Sequence, residues 1–421
     1  MKYNNQSNFF TKILSVCLAI ISGVFVACKP VTIQSNGEVR NKGSIKLASI
    51  LALEGQEEAL GNGMKAGLEA ALKDETVKGK KIKLVFKNDY YEPATAIQAA
   101  KEAIAERIFL AIGNVGTPTA KATLPLLAKS KIPAVGFFTG AEVLRQGKGS
   151  IVNYRASYVQ EIAATMDLAL RAGLTPREIC AYVQNDSYGM AGLSGLKQVM
   201  ERAEADPSIL ETYDRILNTI GDRPPRNNIG PVGVYTRNTP YVKPGYDSLK
   251  DWEEKTGDRC RLVVTAGSYS NIARFAKASR ENGETWIISA LSFTGADDFK
   301  LDLEEYGATD KIIMTQVVPL LDSQLPIVRE AAEKLKENFG YVSLEGYIVG
   351  RMVLKILNDI TGKINRENFM QQVANSRFNL GGIEIDFTRN GYQGSNLVIV
   401  SYITPSGFLI LDIDTLERMI E

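Results

Sequence analysis

The sequence predicts an α/β protein made of two doubly wound parallel sheets. Apolar runs of strand length alternate with helical segments, and after an interruption the same alternation begins again near residue 178. The strand segments are apolar along their whole length, which is typical of parallel strands covered by helices on both faces. With 421 residues, the chain is long enough for two such lobes.

The first set of predicted elements alternates strictly between strand and helix. It consists of a strand at 45–53, a helix at 57–74, a strand at 81–89, a helix at 93–106, a strand at 108–114, a helix at 118–130 and a strand at 132–138. Pro93 and Pro118 fall in the first turn of their helices, where the missing N–H group has no intrahelical partner to lose.

The second set repeats this order. It consists of a strand at 178–186, a helix at 187–205, a strand at 230–238, a short helix at 248–254, a strand at 261–267, a helix from about Asn271 and a strand at 285–291. Residues 205–229 exceed what a tight connection needs, and we interpret them as a surface excursion, decorative or in contact with a partner. Open parallel sheets bind ligands beyond the carboxyl ends of their strands, so a cleft between the two sheets is the predicted site.

Composition argues against several classes of function. Lys and Arg total 49 against 48 for Asp and Glu, which gives no reason to expect nucleic acid as a partner. The chain has no histidine, which removes Ser-His-Asp catalysis and histidine zinc sites. P-loop, Cys-x-x-Cys and G-x-S-x-G motifs are also missing from the sequence. We therefore expect a binding protein without catalytic residues, metal or cofactor.

The N-terminus has the pattern of an export signal. Lys2 and Lys12 precede a short apolar run at 13–27, and Cys28 follows. The segment "FVAC" resembles a bacterial lipobox, which implies a cleaved signal peptide over 1–27 and a lipid on Cys28. A polar tether at 28–43 would then hold the body to the membrane of the cell envelope through the lipid alone. The alternative is an uncleaved N-terminal anchor, which also places the body outside the cytoplasm.

Two further cysteines remain after the signal, Cys180 and Cys260. Each begins a predicted strand, and the first and third strands of a doubly wound lobe are neighbours. Their spacing permits a disulfide, although side chains on parallel neighbours both point out of the sheet. A disulfide and two buried free thiols therefore both remain open.

Six segments in order resemble the type I periplasmic solute-binding proteins of the leucine/isoleucine/valine-binding kind, the extracytoplasmic receptors of ABC importers. They are "ILALEGQEEALGNGMKAGLEAAL", "KNDYYEPATAIQAAKEAI", "AIGNVGTPTAKATLPLLAKSKIPAVGF", "NYRASY", "YVQNDSYGMAG" and "GYIVGRMVLKIL". The resemblance covers essentially all of 44–420. It implies a monomer with two α/β lobes joined by three crossovers, the first lobe at 44–153 plus 318–394 and the second at 154–317 plus 395–421.

The resemblance also implies ligand contacts after the strands of the first lobe. Thr117 and Thr119 lie at the strand-to-helix turn where the family holds a ligand carboxylate with a hydroxyl and backbone N–H groups. Without a ligand, Thr117 would simply be a helix N-cap. Phe138, Thr139 and Gly140 follow the next strand, where the family presents a carbonyl and a hydroxyl; Phe138 could equally belong to the core.

In the second lobe, Tyr188 matches a family tyrosine that lines the cleft, and Tyr269 has the equivalent place after a neighbouring strand. Either could instead be an ordinary surface residue.

Amino-acid binders place a carboxylate against the ligand's ammonium group where this chain has Leu291 and Ser292, and a buried ammonium without an anion is costly. Nearby acidic residues that could substitute are Asp186, Asp297, Asp298, Glu54 and Glu142. An amide, a carboxylate or an aromatic acid is therefore as credible a ligand as an aliphatic amino acid.

The expected function is capture of a small polar organic ligand and its delivery to an ABC importer permease. Two alternatives remain open, a ligand-sensing lipoprotein of the same fold and an envelope enzyme. The enzyme has no convergent catalytic groups to support it.

Overall fold

The computed structural model describes residues 43–146, 149–221, 223–389 and 392–421. The predicted signal peptide, Cys28 and nearly all of the tether lie outside the described residues. The first elements are β1 (Ile45–Leu51), α1 (Glu58–Leu72), β2 (Thr76–Val77), β3 (Lys80–Asn88), α2 (Pro93–Ala105), β4 (Leu110–Ile112), α3 (Thr117–Lys129), β5 (Ala134–Val135) and β6 (Ile151–Val152).

The next elements are α4 (Tyr158–Arg171), β7 (Ile179–Gln184), α5 (Ser187–Arg202), α6 (Pro207–Leu217), β8 (Val232–Tyr235), α7 (Lys243–Thr256), β9 (Leu262–Ala266), α8 (Tyr269–Glu281), β10 (Ile287–Ala290), α9 (Ala296–Tyr306) and β11 (Ile312–Gln316). The last are α10 (Pro326–Leu335), α11 (Tyr341–Asp359), α12 (Arg366–Ala374), β12 (Arg377–Leu380), β13 (Ile383–Asp386), β14 (Ile399–Thr404), β15 (Gly407–Ile410) and α13 (Ile413–Ile420).

The first sheet has the strand order β2-β3-β1-β4-β5-β6. All neighbours in it are parallel except β2 and β3; Leu47, for example, lies opposite Leu84 in β3 and Leu110 in β4. The chain runs outward on one side of β1 and then returns to build the other side. The strand order therefore reverses between β1 and β4, where a doubly wound sheet opens a crevice at its carboxyl edge.

The second sheet has the order β15-β14-β11-β10-β9-β7-β8. Its strands β7 to β11 are parallel, with Val183 opposite Val234 in β8 and Ala266 in β9, so the reversal point lies between β7 and β9. The prediction of two parallel-sheet lobes is confirmed, but this sheet carries an antiparallel edge. Strands β14 and β15 are separated by only two residues, and so short a connection can join only antiparallel strands.

Helix α1 packs closely on the long helix α11, most of which is buried. A Cβ atom on Gly67 would lie 2.1 Å from the carbonyl oxygen of Ser343, so only glycine permits this approach. The contact ties the C-terminal helices to the first sheet.

Three segments connect the part of the chain around the first sheet with the second sheet: 153–157, 317–325 and 387–398, of which 390 and 391 are not described. They lie side by side. The Tyr154 hydroxyl donates to the carbonyl oxygen of Val317 over 3.2 Å, and the backbone N–H of Ser395 donates to the carbonyl oxygen of Tyr154 over 2.9 Å.

The segment 205–229 differs from the predicted surface excursion. Residues 207–217 form α6, which buries Ile209, Tyr213 and Ile216. The Arg226 side chain is also buried and donates to the carbonyl oxygen of Ile216. These apolar residues have helical spacing, so the segment has a packed face that its polar composition conceals.

Cys180 in β7 and Cys260, which precedes β9, are joined by a disulfide with a Cα–Cα distance of 5.6 Å. Cys180 lies opposite Val263 in the register of the two strands, so the bond does not connect directly opposed residues.

None of the helices in the described ranges combines the length and the apolar character needed to cross a bilayer.

Candidate ligand site between the two sheets

The candidate site lies where residues from both reversal points meet. Glu57 and Thr117 come after β1 and β4 in the first sheet. Tyr188 and Tyr269 come after β7 and β9 in the second. The topology therefore brings polar and aromatic side chains from four strand ends to one cleft.

A buried hydroxyl cluster occupies the first-sheet side. The Oγ1 atoms of Thr117 and Thr139 are 2.7 Å apart, and Thr139 Oγ1 is 3.2 Å from the hydroxyl oxygen of Tyr158. Gly116, not Thr117, is the N-cap of α3. Gly116 has φ 105°, and a Cβ there would lie 2.4 Å from the Tyr91 ring. The Thr117 hydroxyl is therefore not used as a cap and faces Thr139.

Two other predicted contacts have local roles. The Thr119 hydroxyl donates to the carbonyl oxygen of Val115 over 2.7 Å, which uses its proton within the turn. Gly140 permits the close approach of Tyr158, because a Cβ there would lie 2.6 Å from Cδ1 of that ring. Gly140 also accepts a hydrogen bond from the Tyr158 N–H over 2.9 Å.

An aromatic layer joins the two sides of the cleft. The ring centroid of Phe293 lies 5.3 Å from that of Phe138, 4.5 Å from that of Tyr188 and 6.3 Å from that of Tyr91. The Tyr158 ring is 5.4 Å from the Tyr188 ring. Phe138 and Tyr188 are thus brought together as expected, while Phe293, Tyr91 and Tyr158 were not selected from the sequence. They stand in the segments "ISALSFTG", "KNDYYEP" and "NYRASY", which contain the signal that could have found them.

Ser292 belongs to a buried charged network around Arg155. Arg155 Nη2 donates to Ser292 Oγ over 3.0 Å and to Glu345 Oε2 over 2.9 Å. Ser292 N–H donates to Glu161 Oε2 over 2.8 Å. The Arg155 guanidinium also lies 4.3 Å from the centre of the Phe138 ring. Burial alone would lower the pKa of Arg155, but the two carboxylates hold that pKa above its ordinary value.

Glu57 lies on the first-sheet side of the cleft, just before α1. Its side chain is only 1% exposed, and neither carboxylate oxygen has a hydrogen-bond partner. Burial raises the pKa of Glu57 to about 7, an effect that the nearby Ser268 side chain partly offsets. In sequence it resembles any acidic residue at a helix start, which is why it was missed.

The acidic residues suggested from the sequence do not supply a comparable free carboxylate. Asp186 accepts from Arg237 Nη1 over 2.6 Å and from the Tyr188 N–H over 2.9 Å. Asp297 accepts from the Tyr341 N–H over 2.7 Å, and burial raises the pKa of Asp297 to about 6. Of the others, Asp298 is half-buried and Glu54 and Glu142 are exposed.

Polar contacts also connect the two sides directly. Arg237, which follows β8, places Nη2 2.8 Å from Glu92 Oε2, across the cleft from its Asp186 contact. The Tyr269 hydroxyl donates to the carbonyl oxygen of Gln56 over 2.6 Å. Both contacts hold the sheets in a closed arrangement.

In the described part of the chain, no group of three or more His, Cys, Asp or Glu side chains is arranged to hold a metal ion.

Known proteins share this architecture. A model of the periplasmic binding protein family matches residues 44–215. A possible leucine/isoleucine/valine-binding protein from Rhodopirellula baltica SH 1 is 31% identical, with a TM-score of 0.77 over 89% of this chain and 98% of that chain. No curated protein sequence matches the chain significantly.

Two more distant structures share the fold. A leucine-binding protein from Thermotoga maritima is 19% identical, with a TM-score of 0.71 over 87% of this chain and 98% of that chain. An ABC transporter solute-binding protein from R. palustris, in complex with 4-hydroxybenzoate, is 18% identical, with a TM-score of 0.68 over 88% and 96%. These neighbours are binding proteins, not enzymes. The chain therefore belongs to the type I periplasmic binding protein family, the extracytoplasmic solute-binding proteins that include the leucine-binding kind.

Proposed function

We propose that the protein captures a small organic solute between its two sheets and delivers it to an ABC importer. The observation that carries this proposal is the convergence of the Thr117 and Thr139 hydroxyls with the Tyr188 ring, which meet through the buried Tyr158. Side chains from two sheets that close on the same point form a solute site that opens when the sheets separate.

The chemistry of this layer favours a ligand with a polar head and an apolar body. The Thr117 and Thr139 hydroxyls beside the N-terminus of α3 suit a carboxylate or amide oxygen. Phe138, Tyr188 and Phe293 suit the apolar body. Neighbours of the fold are described as binding leucine or 4-hydroxybenzoate, and one from Thermomonospora curvata as a fatty acid ABC transporter protein; these ligands all combine a carboxylate with an apolar part.

The division into lobes is part of the same proposal. The first lobe is 44–153 plus 318–394, and the second is 154–317 plus 395–421. The membership of the strands supports this division, because β1 to β6 form one sheet and β7 to β11 with β14 and β15 form the other. The connecting segments would act as the hinge.

The test is a thermal-shift screen of the mature chain against amino acids, their amides, aromatic acids and short fatty acids. A ligand at a hundredfold excess over its dissociation constant stabilises the folded state by about 2.7 kcal/mol. Thr117→Val and Thr139→Val should each weaken the best ligand about tenfold, which corresponds to one lost hydrogen bond.

Thr123→Val is the matched control, since Thr123 lies on the same helix and its hydroxyl donates only to backbone within that helix. It should lower stability without lowering affinity. Wild-type affinity in Thr117→Val and Thr139→Val would contradict the site. A screen in which no compound stabilises the protein would contradict the proposed function.

We also propose that Cys28 is lipidated and tethers the protein to the membrane. The basic start, the short apolar run and the polar 29–43 segment support this proposal. Mass spectrometry of the membrane fraction should find a chain that begins at Cys28 and carries a diacylglyceryl group. A mature N-terminus at another residue would disprove it.

A further inference from the structure

We propose that Glu57 binds a positively charged nitrogen of the solute, so that the preferred ligand carries an ammonium group in addition to its carboxylate or amide. The inference rests on the proposed function of the cleft and narrows its ligand class. The group that binds the cation would then belong to the first sheet, whereas the family resemblance implies a carboxylate after a strand of the second.

Glu57 is distinguished by having no cationic partner and only Ser268 as a side-chain hydrogen-bonding neighbour. It is 1% exposed, and both of its carboxylate oxygens lack a hydrogen bond. Glu161 and Glu345, also buried in the cleft region, each have one oxygen bound by a neighbour. Among the described residues, Glu57 is thus the one buried carboxylate with neither oxygen satisfied. Burying such a group without a partner is costly, so a structure that retains it needs a compensating role.

The position of Glu57 points to a ligand rather than to the helix. It is the N-cap residue of α1, yet its side chain makes no capping hydrogen bond. The carboxyl group instead interacts with Ser268, which follows β9 in the second sheet and whose Oγ also lacks a partner. Two oxygen-bearing groups, one from each sheet, therefore meet at the reversal points with no partner other than each other. A group with several N–H donors can satisfy both.

Neither of the protein's own cations near Glu57 is hydrogen-bonded to it. Arg237 and Arg274 both act on its charge, but Arg237 pairs with Asp186 and Glu92, and Arg274 Nη1 donates to Ser270. The remaining titratable groups that face Glu57 are Asp186, Tyr91, Tyr235 and Tyr269, and none of these is cationic. Within the described part of the chain no cation is hydrogen-bonded to Glu57, which leaves its carboxylate free to bind a cationic group of the solute.

The test uses matched pairs of probes that differ only in the amine. Leucine is compared with 4-methylpentanoate, and phenylalanine with 3-phenylpropanoate, by isothermal titration on the mature chain. In the pair that binds more tightly, the wild type should bind the amino acid at least tenfold more tightly than the acid without the amine. Glu57→Gln should abolish this preference, whereas Glu58→Gln, which removes the neighbouring exposed carboxylate, should preserve it.

Two readouts separate recognition from a structural role. Amine affinity should fall as the pH drops from 8 to 6 in the wild type, because Glu57 takes up a proton, and should stay constant in Glu57→Gln. Neither amino acid titrates in that range. The ligand-free Glu57→Gln protein should also be at least as stable as the wild type at pH 8.

Equal or tighter binding of the amine-free acids by the wild type would overturn the inference while leaving the proposed function intact. Loss of stability in ligand-free Glu57→Gln would also overturn it, because Glu57 would then have a partner such as Arg237 within the protein. If neither these pairs nor any compound of the wider screen binds, the proposed function itself fails.

Discussion

At the residue scale, Glu57 ties stability and ligand preference together. Burial raises the pKa of Glu57 from 4.5 to about 7. Between pH 4.5 and about pH 7, the folded protein therefore keeps a proton on Glu57 that the unfolded chain has already released. Stability therefore falls as the pH rises through this window. The shift corresponds to about 3 kcal/mol in the ligand-free protein at pH 8.

Replacing Glu57 with Gln should remove this loss. We expect urea denaturation to show Glu57→Gln more stable than the wild type by up to about 3 kcal/mol at pH 8, with the difference vanishing near pH 4. Asp89 and Asp297 also have raised pKa values, but they are present in both proteins and cancel. Glu58→Gln should show no comparable gain. A less stable Glu57→Gln protein at pH 8 would refute the assignment of a costly, unpaired carboxylate.

A family resemblance marked the strand ends where Thr117 and Thr139 lie, and the structure brings their hydroxyls together. Their role as ligand contacts stays a prediction. The sequence was not sufficient to select Glu57, since a carboxylate before a helix is ordinary until a second sheet covers it. Nor could it identify Thr119 as locally bonded, because the Val115 carbonyl becomes its acceptor only through the turn geometry. The chemical type of each of these side chains is known from the sequence, but the sequence does not show which of them are buried or which atoms they contact.

At the scale of elements, long apolar runs predicted most strands and helices, whereas short or two-sided segments were missed. The strand predicted at 132–138 is reduced to Ala134–Val135, because the backbone turns at Gly136, which has φ 58°. The hairpin of β14 and β15 was not predicted either. Its edge position leaves Leu409 and Ile410 exposed, so the pattern lacks the continuous burial that marked the inner strands.

The bond between Cys180 and Cys260 is an element-scale prediction, since it joins β7 to the start of β9. Thiol labelling of the denatured, unreduced mature protein should find no reactive thiol from either residue. Replacing both with Ser should lower the free energy of unfolding by about 2–4 kcal/mol, because the bond closes a long loop in the unfolded chain. Two reactive thiols per chain would show that the pair is reduced.

At the scale of the whole molecule, the two sheets are joined by the three connecting segments, by the buried ion pair of Arg155 with Glu345 and by contacts across the cleft. Arg237 with Glu92, Tyr269 with Gln56 and the contacts of Phe293 bridge the cleft, and water could replace the polar contacts among them. The resemblance supplied this two-lobed plan, whereas composition alone gave only the chain length and the repeated alternation. A solute that binds groups from both sheets would stabilise the closed arrangement by its differential affinity for that state.

The central claim is that the sheets close on a solute, and small-angle X-ray scattering tests it most directly. The mature chain is measured alone and with a saturating concentration of the best ligand from the thermal-shift screen. The account predicts a smaller radius of gyration with ligand and a scattering curve that matches the closed structure described above. The same ligand should leave Thr139→Val less compact at a concentration that saturates only the wild type. An unchanged scattering curve at saturation, with the ligand bound, would contradict the account.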